Sequence, residues 1–437
     1  PFAENNKYGW FPAVAVAWNL DEENFMNNLN FVSNTKLRLS YGETGSQAIN
    51  PYSSLPRYSA QFYELGSPSS IASVLFPTAL ANPNLSWERT SQFNAGLDFN
   101  LFNSRLVVSI DYYDKKTKDL LQPRTLPSQS GFTTITDNYG TIGNKGVELS
   151  LSTDVIRTQN MRWNARLNVS HNKTTLINLG TKTTPEYVSQ GGNLAGVTNI
   201  LIPGQEIGLF YGYTVEGLVQ SSDFKQDGTP DFPFIGTAGE QAPGVWKLLD
   251  YNGDGLINTD DRHVLGKSQP DVVFGFNNDF TWKKLGVTVF FTGSLGNDLL
   301  NITRAYLQNG YINYYGVVFN QTQDWFNNRW TPSNQHNDPR YPGVQRNVQP
   351  EDAKSMWIED GSFLRLKQLT LSYSFDKISV IKSPIIFVTG TNLLTFTKYT
   401  GYDPEVSSYN QSLLQQGIDY GAYPAQRSFT LGFSFNF

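Results

Sequence analysis

Ser428-Phe-Thr-Leu-Gly-Phe-Ser-Phe-Asn-Phe437 is the stretch that decides the fold. Phe429, Leu431, Phe433, Phe435 and Phe437 face one way; Ser428, Thr430, Gly432, Ser434 and Asn436 face the other. A period of two means extended backbone, on which successive side chains point to opposite sides. Roughly ten residues is also what a tilted strand needs to cross a bilayer. A soluble protein seldom leaves an all-aromatic strand face unpaired, because such an edge recruits other chains. In an outer-membrane barrel the same strand turns its aromatics to lipid and its polar face to a wet lumen. A buried edge strand of a soluble β-sandwich is the competing reading of this segment alone.

Composition favours the barrel. Among 437 residues, 14% are aromatic, with 29 Phe and 23 Tyr, yet the mean hydropathy is negative. Aromatic girdles around a polar lumen, with long wet loops, combine those two properties. The longest apolar run, Ala13 to Trp18, falls far short of the roughly eighteen residues a membrane helix needs. A helical membrane protein is therefore excluded, while spanning strands, only half apolar, are not. The absence of cysteine removes disulfides, thiol nucleophiles and cysteine-type zinc sites. A net charge of −5 leaves no basic footprint, so no nucleic-acid partner is expected. The chain opens on Pro1 without the pattern of a signal peptide, and sequence upstream of it is expected.

Other segments alternate as cleanly. Phe93, Ala95, Leu97, Phe99 and Leu101 oppose Gln92, Asn94, Gly96, Asp98 and Asn100. Trp163, Ala165, Leu167 and Val169 oppose Arg162, Asn164, Arg166 and Asn168. An inner face carrying Arg162 and Arg166 suits a wet lumen and would be ruinous in a dry core without partners. Near Lys367 and Gln368 the alternation slips phase, as a β-bulge would make it do. Links between strands are alternately short, as at Phe102–Ser104 and Lys283–Lys284, and long, as at Thr174–Pro270 and Asn297–Gly361. Short periplasmic turns and long extracellular loops give that alternation.

About eleven spans follow, near 8–19, 35–45, 91–101, 105–118, 143–154, 161–173, 271–282, 284–296, 362–376, 384–396 and 426–437. Gly208–Val219 is strand-like, but parity leaves it without a partner, so it is placed outside the membrane. Asp21–Asn30 reads as a short helix capped by Asp21, in the first periplasmic link. The first and last spans both descend, so eleven alternating spans do not close through antiparallel pairs, and at least one further rising strand is expected from upstream.

The sharpest local motif is Asp250-Tyr-Asn-Gly-Asp-Gly-Leu-Ile-Asn-Thr-Asp-Asp261. Asp250, Asn252, Asp254, the Leu256 carbonyl, Asn258 and Asp261 fall at the oxygen-ligand positions of a calcium loop, with Gly255 at the sharp turn. Asp261 replaces the usual Glu and has a shorter reach. Ca2+ is the ion expected, in a structural role; the alternative is a plain run of Asn-Gly and Asp-Gly turns. Gly266-Lys-Ser268 lacks the earlier glycine of a phosphate cradle, since Asp261 stands there. His171, His263 and His336 are too far apart in sequence for metal-ligand spacing and read as solvated or barrel-facing. No catalytic pattern stands out, so catalytic residues and an enzyme are not expected. Loop Asn297–Gly361 carries Tyr306, Tyr311, Tyr314, Tyr315, Trp325, Trp330, Tyr341 and Trp357. Trp325, Trp330, Tyr341 and Trp357 are candidates to bind a sugar ring or a peptide side chain, or else to pack the loop on itself or on a partner.

Several phrases together resemble the C-terminal portion of the SusC/RagA family of TonB-dependent outer-membrane transporters. They include Asn5–Pro12, Leu37–Gly42, Gly143–Glu148, Phe210–Tyr213, Asp250–Asp261, Asp360–Lys367, Gly390–Glu405 and Tyr423–Phe429, in family order along nearly the whole chain. The resemblance implies an all-β, antiparallel transmembrane β-barrel of about 22 strands with a plugged lumen, of which residues 1–437 form the C-terminal part. It implies a multi-pass location in the outer membrane, in contact with its lipid, and import of oligosaccharides or peptides. It also implies a SusD-like surface lipoprotein as lid, and TonB as the source of energy through an N-terminal region. The plug, the TonB-interacting segment and the first half of the barrel are not among these residues. A siderophore-type TonB-dependent receptor, or a barrel adhesin or hydrolase, are the other readings; a plug upstream would separate transport from the last two.

Overall fold

The computed structural model describes residues 2, 4–29, 31–64, 71–180, 183–189, 196–236, 241–310, 320–344, 353–376, 382–405, 408 and 415–436. Phe437, Tyr311, Tyr314 and Tyr315 lie outside them. Two compact units divide the chain, Pro1–Glu148 with Lys173–Thr184 and Pro203–Gln205, and Leu149–Asn172 with Pro185–Ile202 and Glu206–Phe437.

One 11-stranded sheet runs in chain order. Its strands are β1 (Ala13–Asn19), β2 (Val32–Ser46), β3 (Glu88–Leu101), β4 (Leu106–Lys118), β5 (Thr141–Arg157) and β6 (Met161–Asn178). They continue as β7 (Val272–Trp282), β8 (Leu285–Leu295), β9 (Phe363–Ser374), β10 (Lys382–Thr397) and β11 (Ser428–Asn436). Each corresponds to one expected span. The alternation of side chains forces the extended backbone, and short links make sequence neighbours into antiparallel sheet neighbours. The β7–β8 hairpin shows it plainly: pairing runs from Val272↔Leu295 to Trp282↔Leu285 without a shift. β1 is shorter than expected, starting at Ala13 rather than near residue 8. Pro12 has no N–H to give a ladder, although its carbonyl still accepts from Glu43.

The expected helix at Asp21–Asn30 is not formed. Two single 3-10 turns, Leu20–Glu22 and Asn24–Met26, stand there instead, separated by an extended Glu23; Asn30 is outside the described residues. Asp21 caps neither turn; its Oδ1 accepts from the Thr35 N–H at 3.1 Å, tying the link to β2. Asparagine side chains compete with the helix backbone for its hydrogen bonds, and this segment is rich in them. The bulge in β9 is present at Lys367, with Phe290 opposite Gln368 and Phe291 opposite Leu366. On the other side Leu366 pairs Leu394 and Gln368 pairs Thr391, and Asn392 takes a left-handed φ of 52° to absorb the mismatch.

The polar wall finds its partners. In the first unit Arg38 reaches Asp98 at 2.6 Å and Asp111 at 2.9 Å, and Ser109 donates to Asp98. In the second, Arg162 meets Asp154 at 3.5 Å and Arg166 meets Asp279 at 3.3 Å. On β11 the aromatic face stands open, with Phe429 76% and Phe433 66% exposed.

The described apolar core of the second unit lies outside these strands. Gly208–Val219 is indeed off the main sheet: Leu209–Tyr213 pairs with His263–Lys267, and Val215–Leu218 pairs with Trp246–Leu248. A separate three-stranded sheet joins Asp298–Asn301 to Ile358–Asp360 on one side and to Ile418–Asp419 on the other. Phe210, Tyr213, Trp246, Leu300, Trp330, Trp357 and Ile418 pack into one cluster over these pieces. Three long excursions therefore fold together into a single body.

Candidate functional site

The loop Asp250–Asp261 is held by its own side chains. Asp250 accepts from the Gly253 N–H at 2.7 Å and from the Gly255 N–H at 2.8 Å, one to each carboxylate oxygen. Asn252 Oδ1 accepts from Asp254, and Asp254 Oδ1 accepts from Leu256. Asp261, fully buried, takes the N–H groups of Tyr251 at 3.0 Å and Asn258 at 2.7 Å. Asn258 caps the turn that follows, through the Asp260 N–H. Gly253 and Gly255 adopt φ of 75° and 84°, a backbone that side-chain-bearing residues rarely take. Every donor atom is oxygen, the hard-ligand chemistry calcium requires. The carboxylates are turned to backbone N–H groups: among the described residues, no three His, Asp or Glu side chains gather as a metal-holding group.

The histidines settle differently from expectation in one case. His263 is only half-buried and does not face the barrel: its ring stacks on Tyr251 at 4.0 Å, and its Nε2 contacts Thr214 Oγ1 at 2.9 Å. It is part of the packing behind the loop. His171 Nδ1 meets the Asp271 carbonyl, and His336 Nε2 that of Asn328. Lys267 pairs with Asp271 and Glu206 and sits on a strand, away from any phosphate cradle.

Of the four aromatic candidates, three are spent on packing. Trp325, Trp330 and Trp357 are buried; Trp325 Nε1 donates to the Pro342 carbonyl, and Trp357 stacks edge-on with Trp246. Tyr341 is different: it lines an open cavity of about 350 Å3 with Arg304, Gln308, Asp324, Arg340 and Tyr402. The Tyr341 hydroxyl donates to Asp324 at 2.8 Å, and burial followed by this bond pushes its pKa up. Arg340 grips Asp338 and holds that carboxyl below the usual carboxylate range. Tyr402, Arg340 and Asp324 were not marked by the sequence reading. The one available signal was the phrase Gly401-Tyr402-Asp403-Pro404, three turn-type residues setting an aromatic at a loop tip.

Residues 1–230 match the model of the family described as TonB dependent receptor-like, beta-barrel. The chain belongs to this family. It is 38% identical along its whole length to the TonB-dependent receptor P3 of Formosa agariphila and 29% identical to the TonB-dependent receptor SusC of Bacteroides thetaiotaomicron. It spans only 42% and 41% of the length of these two relatives. The fold superposes on the RagAB peptide transporter with a TM-score of 0.79 at 25% identity, over 99% of this chain and 44% of that one. The eleven-stranded sheet is thus part of an antiparallel outer-membrane β-barrel of the SusC/RagA type. In such a barrel an exposed aromatic face suits lipid, and a wall of paired arginines suits the wet lumen.

Proposed function

We propose that this chain forms the substrate-facing portion of an outer-membrane nutrient importer, working with a SusD-like surface lipoprotein and energised through TonB. Its cargo would be oligosaccharides or peptides. The likeness of the whole chain to the RagAB peptide transporter carries this reading, because it extends through the loops that form the extracellular body as well as the spanning strands. A polar, ion-paired wall suits the passage of hydrated solutes. The test is uptake of labelled oligosaccharides and peptides by cells expressing the full-length receptor. Uptake should vanish on deletion of the receptor, of its co-purifying lipoprotein or of TonB. Uptake indifferent to all three deletions would overturn the proposal.

We also propose that the Asp250–Asp261 loop binds Ca2+ through Asp250, Asn252, Asp254, Leu256, Asn258 and Asp261. The oxygen-only donor set at calcium-loop spacing and the two glycine turns support it. An ion bound only by the folded loop stabilises that fold by mass action. Melting of the purified receptor should rise with calcium and fall with chelator, and Asp250→Ala with Asp254→Ala should erase the difference. An unchanged calcium response in that variant would contradict it.

A further inference from the structure

Tyr402 is 71% exposed, yet the two residues that bracket its strap are among the most buried in the molecule. On one side Tyr399, 5% exposed, donates its hydroxyl to Asp419 at 2.5 Å. On the other, Asp403 is clamped by Arg365, which also holds Glu405 and reaches Thr395 Oγ1 at 3.0 Å. Between them Thr400 gives both its N–H and its hydroxyl to Glu359, at 2.8 and 2.9 Å. Gly401 is required here, because a Cβ would meet the Tyr399 ring at 2.4 Å. The strap is fixed at three points, and it holds an aromatic face out to solvent beside the cavity. Among the described residues, Tyr402 makes no hydrogen bond or ring contact of its own. A large exposed ring on a rigid support costs solvation and is the usual form of a pre-built binding platform.

The cavity's charges select the ligand. Arg304 is matched by Glu359 at 2.8 Å and Arg340 by Asp338, so no surplus positive charge awaits a carboxylate, sulfate or phosphate. Among the described residues Asp324 is held only by neutral donors, the Tyr341 hydroxyl and the Asn328 amide at 3.0 Å, so its negative charge further disfavours an anion. Each guanidinium keeps one terminal nitrogen without a partner among the described residues, Nη2 of Arg304 and Nη1 of Arg340, because their other nitrogens hold Gln308, Glu359 and Asp338. What remains is an apolar ring face next to paired guanidinium donors and the one carboxylate, Asp324, that has no cation of its own, in a volume typical of ligand pockets. That combination matches a neutral sugar: the C–H face of a pyranose lies on an aromatic, and its hydroxyls bridge carboxylate and guanidinium groups.

We propose that Tyr402, Asp324, Arg340 and Tyr341 form a binding subsite for a neutral pyranose unit of an oligosaccharide. The proposal rests on the import reading and narrows its cargo. The test is capture of detergent-purified full-length receptor on an array of neutral, uronic and sulfated oligosaccharides, with a peptide library in parallel. Neutral oligosaccharides should be captured, at least tenfold more weakly after Tyr402→Ala, and near wild-type after Tyr402→Phe, which keeps the ring. Arg340→Gln should weaken capture as well, with heat-modifiable gel mobility confirming a folded barrel in each variant. Capture only of anionic glycans or peptides, no capture at all, or capture indifferent to Tyr402→Ala would each overturn the proposal. So would loss of a co-purifying protein in Tyr402→Ala with glycan capture unchanged. Binding needs no energy source, so capture without uptake would sink transport and spare the subsite. TonB-dependent uptake unaffected by Tyr402→Ala would do the reverse.

Discussion

Arg365 is the residue on which the outer loops hang. Its side chain is 2% exposed, and the Asp403 side chain it grips is 5% exposed. Removing one partner of a buried ion pair leaves the other charge stranded, at about 3–5 kcal/mol. Arg365→Ala should therefore free the strap Tyr399–Glu405, seen as rapid amide exchange there at neutral pH while β9 and β10 stay protected. Arg365→Lys should rescue only part, because a single ammonium cannot hold Asp403 and Glu405 as a planar fork does. Burial pushes the Asp403 carboxyl up, but the bonds from Arg365 and from the amides of Glu405 and Ala425 outweigh it and hold its pKa below the usual range. A carboxylate depressed on folding gives stability that is complete above its unfolded pKa of about 3.9 and is lost as pH falls through the folded value. Pepsin, its rate at each pH normalised to an unfolded substrate, should leave the strap uncut at about pH 5 and cut it only below about pH 4. Cleavage at pH 5 would show that Asp403 does not carry the clamp. None of this was legible in the sequence. Arg365 sat in an expected span, but its partners lie some 40 residues on, in a loop without period.

At the scale of the strand, legibility was high, because lipid and lumen impose opposite chemistry on alternate residues. That pressure wrote β3, β6 and β11 plainly, and the bulge at Lys367 showed as a slip of phase. It wrote nothing at Asp21–Asn30, where the link faces no lipid and a helix pattern formed by chance. The alternation makes a parity prediction. Leu431→Arg puts a cation into hydrocarbon at about 2–4 kcal/mol near the midplane and less toward the interfaces, whereas Thr430→Arg points into water. Surface levels of the receptor, measured by protease shaving of intact cells, should collapse for the first and hold for the second. Equal levels would mean that the faces have been assigned the wrong way round.

At the scale of the whole chain, the strands carry the membrane chemistry, and the described apolar core of the second unit sits in its loops. Trp357 packs against Trp246 within that core. Truncating a buried tryptophan costs about 3–5 kcal/mol. Trp357→Ala should therefore abolish oligosaccharide capture and expose the loops to trypsin, while heat-modifiable mobility of the barrel persists. Simultaneous loss of both would mean that loops and strands unfold as one. The cavity stayed hidden from sequence reading for a related reason. Its walls come from Arg304–Gln308, Asp324, Arg340–Tyr341 and Tyr402, segments far apart in the chain that the core and the polar clamps on the Tyr402 strap bring together. The small sheet that joins Asp298–Asn301, Ile358–Asp360 and Ile418–Asp419 draws its strands from two different excursions, and the core adds a third. Specificity is therefore not portable in single pieces. A loop grafted alone from a relative would arrive without the strand it must lie against, so recognition can be transplanted, or can diverge in descent, only when all three excursions change as a set.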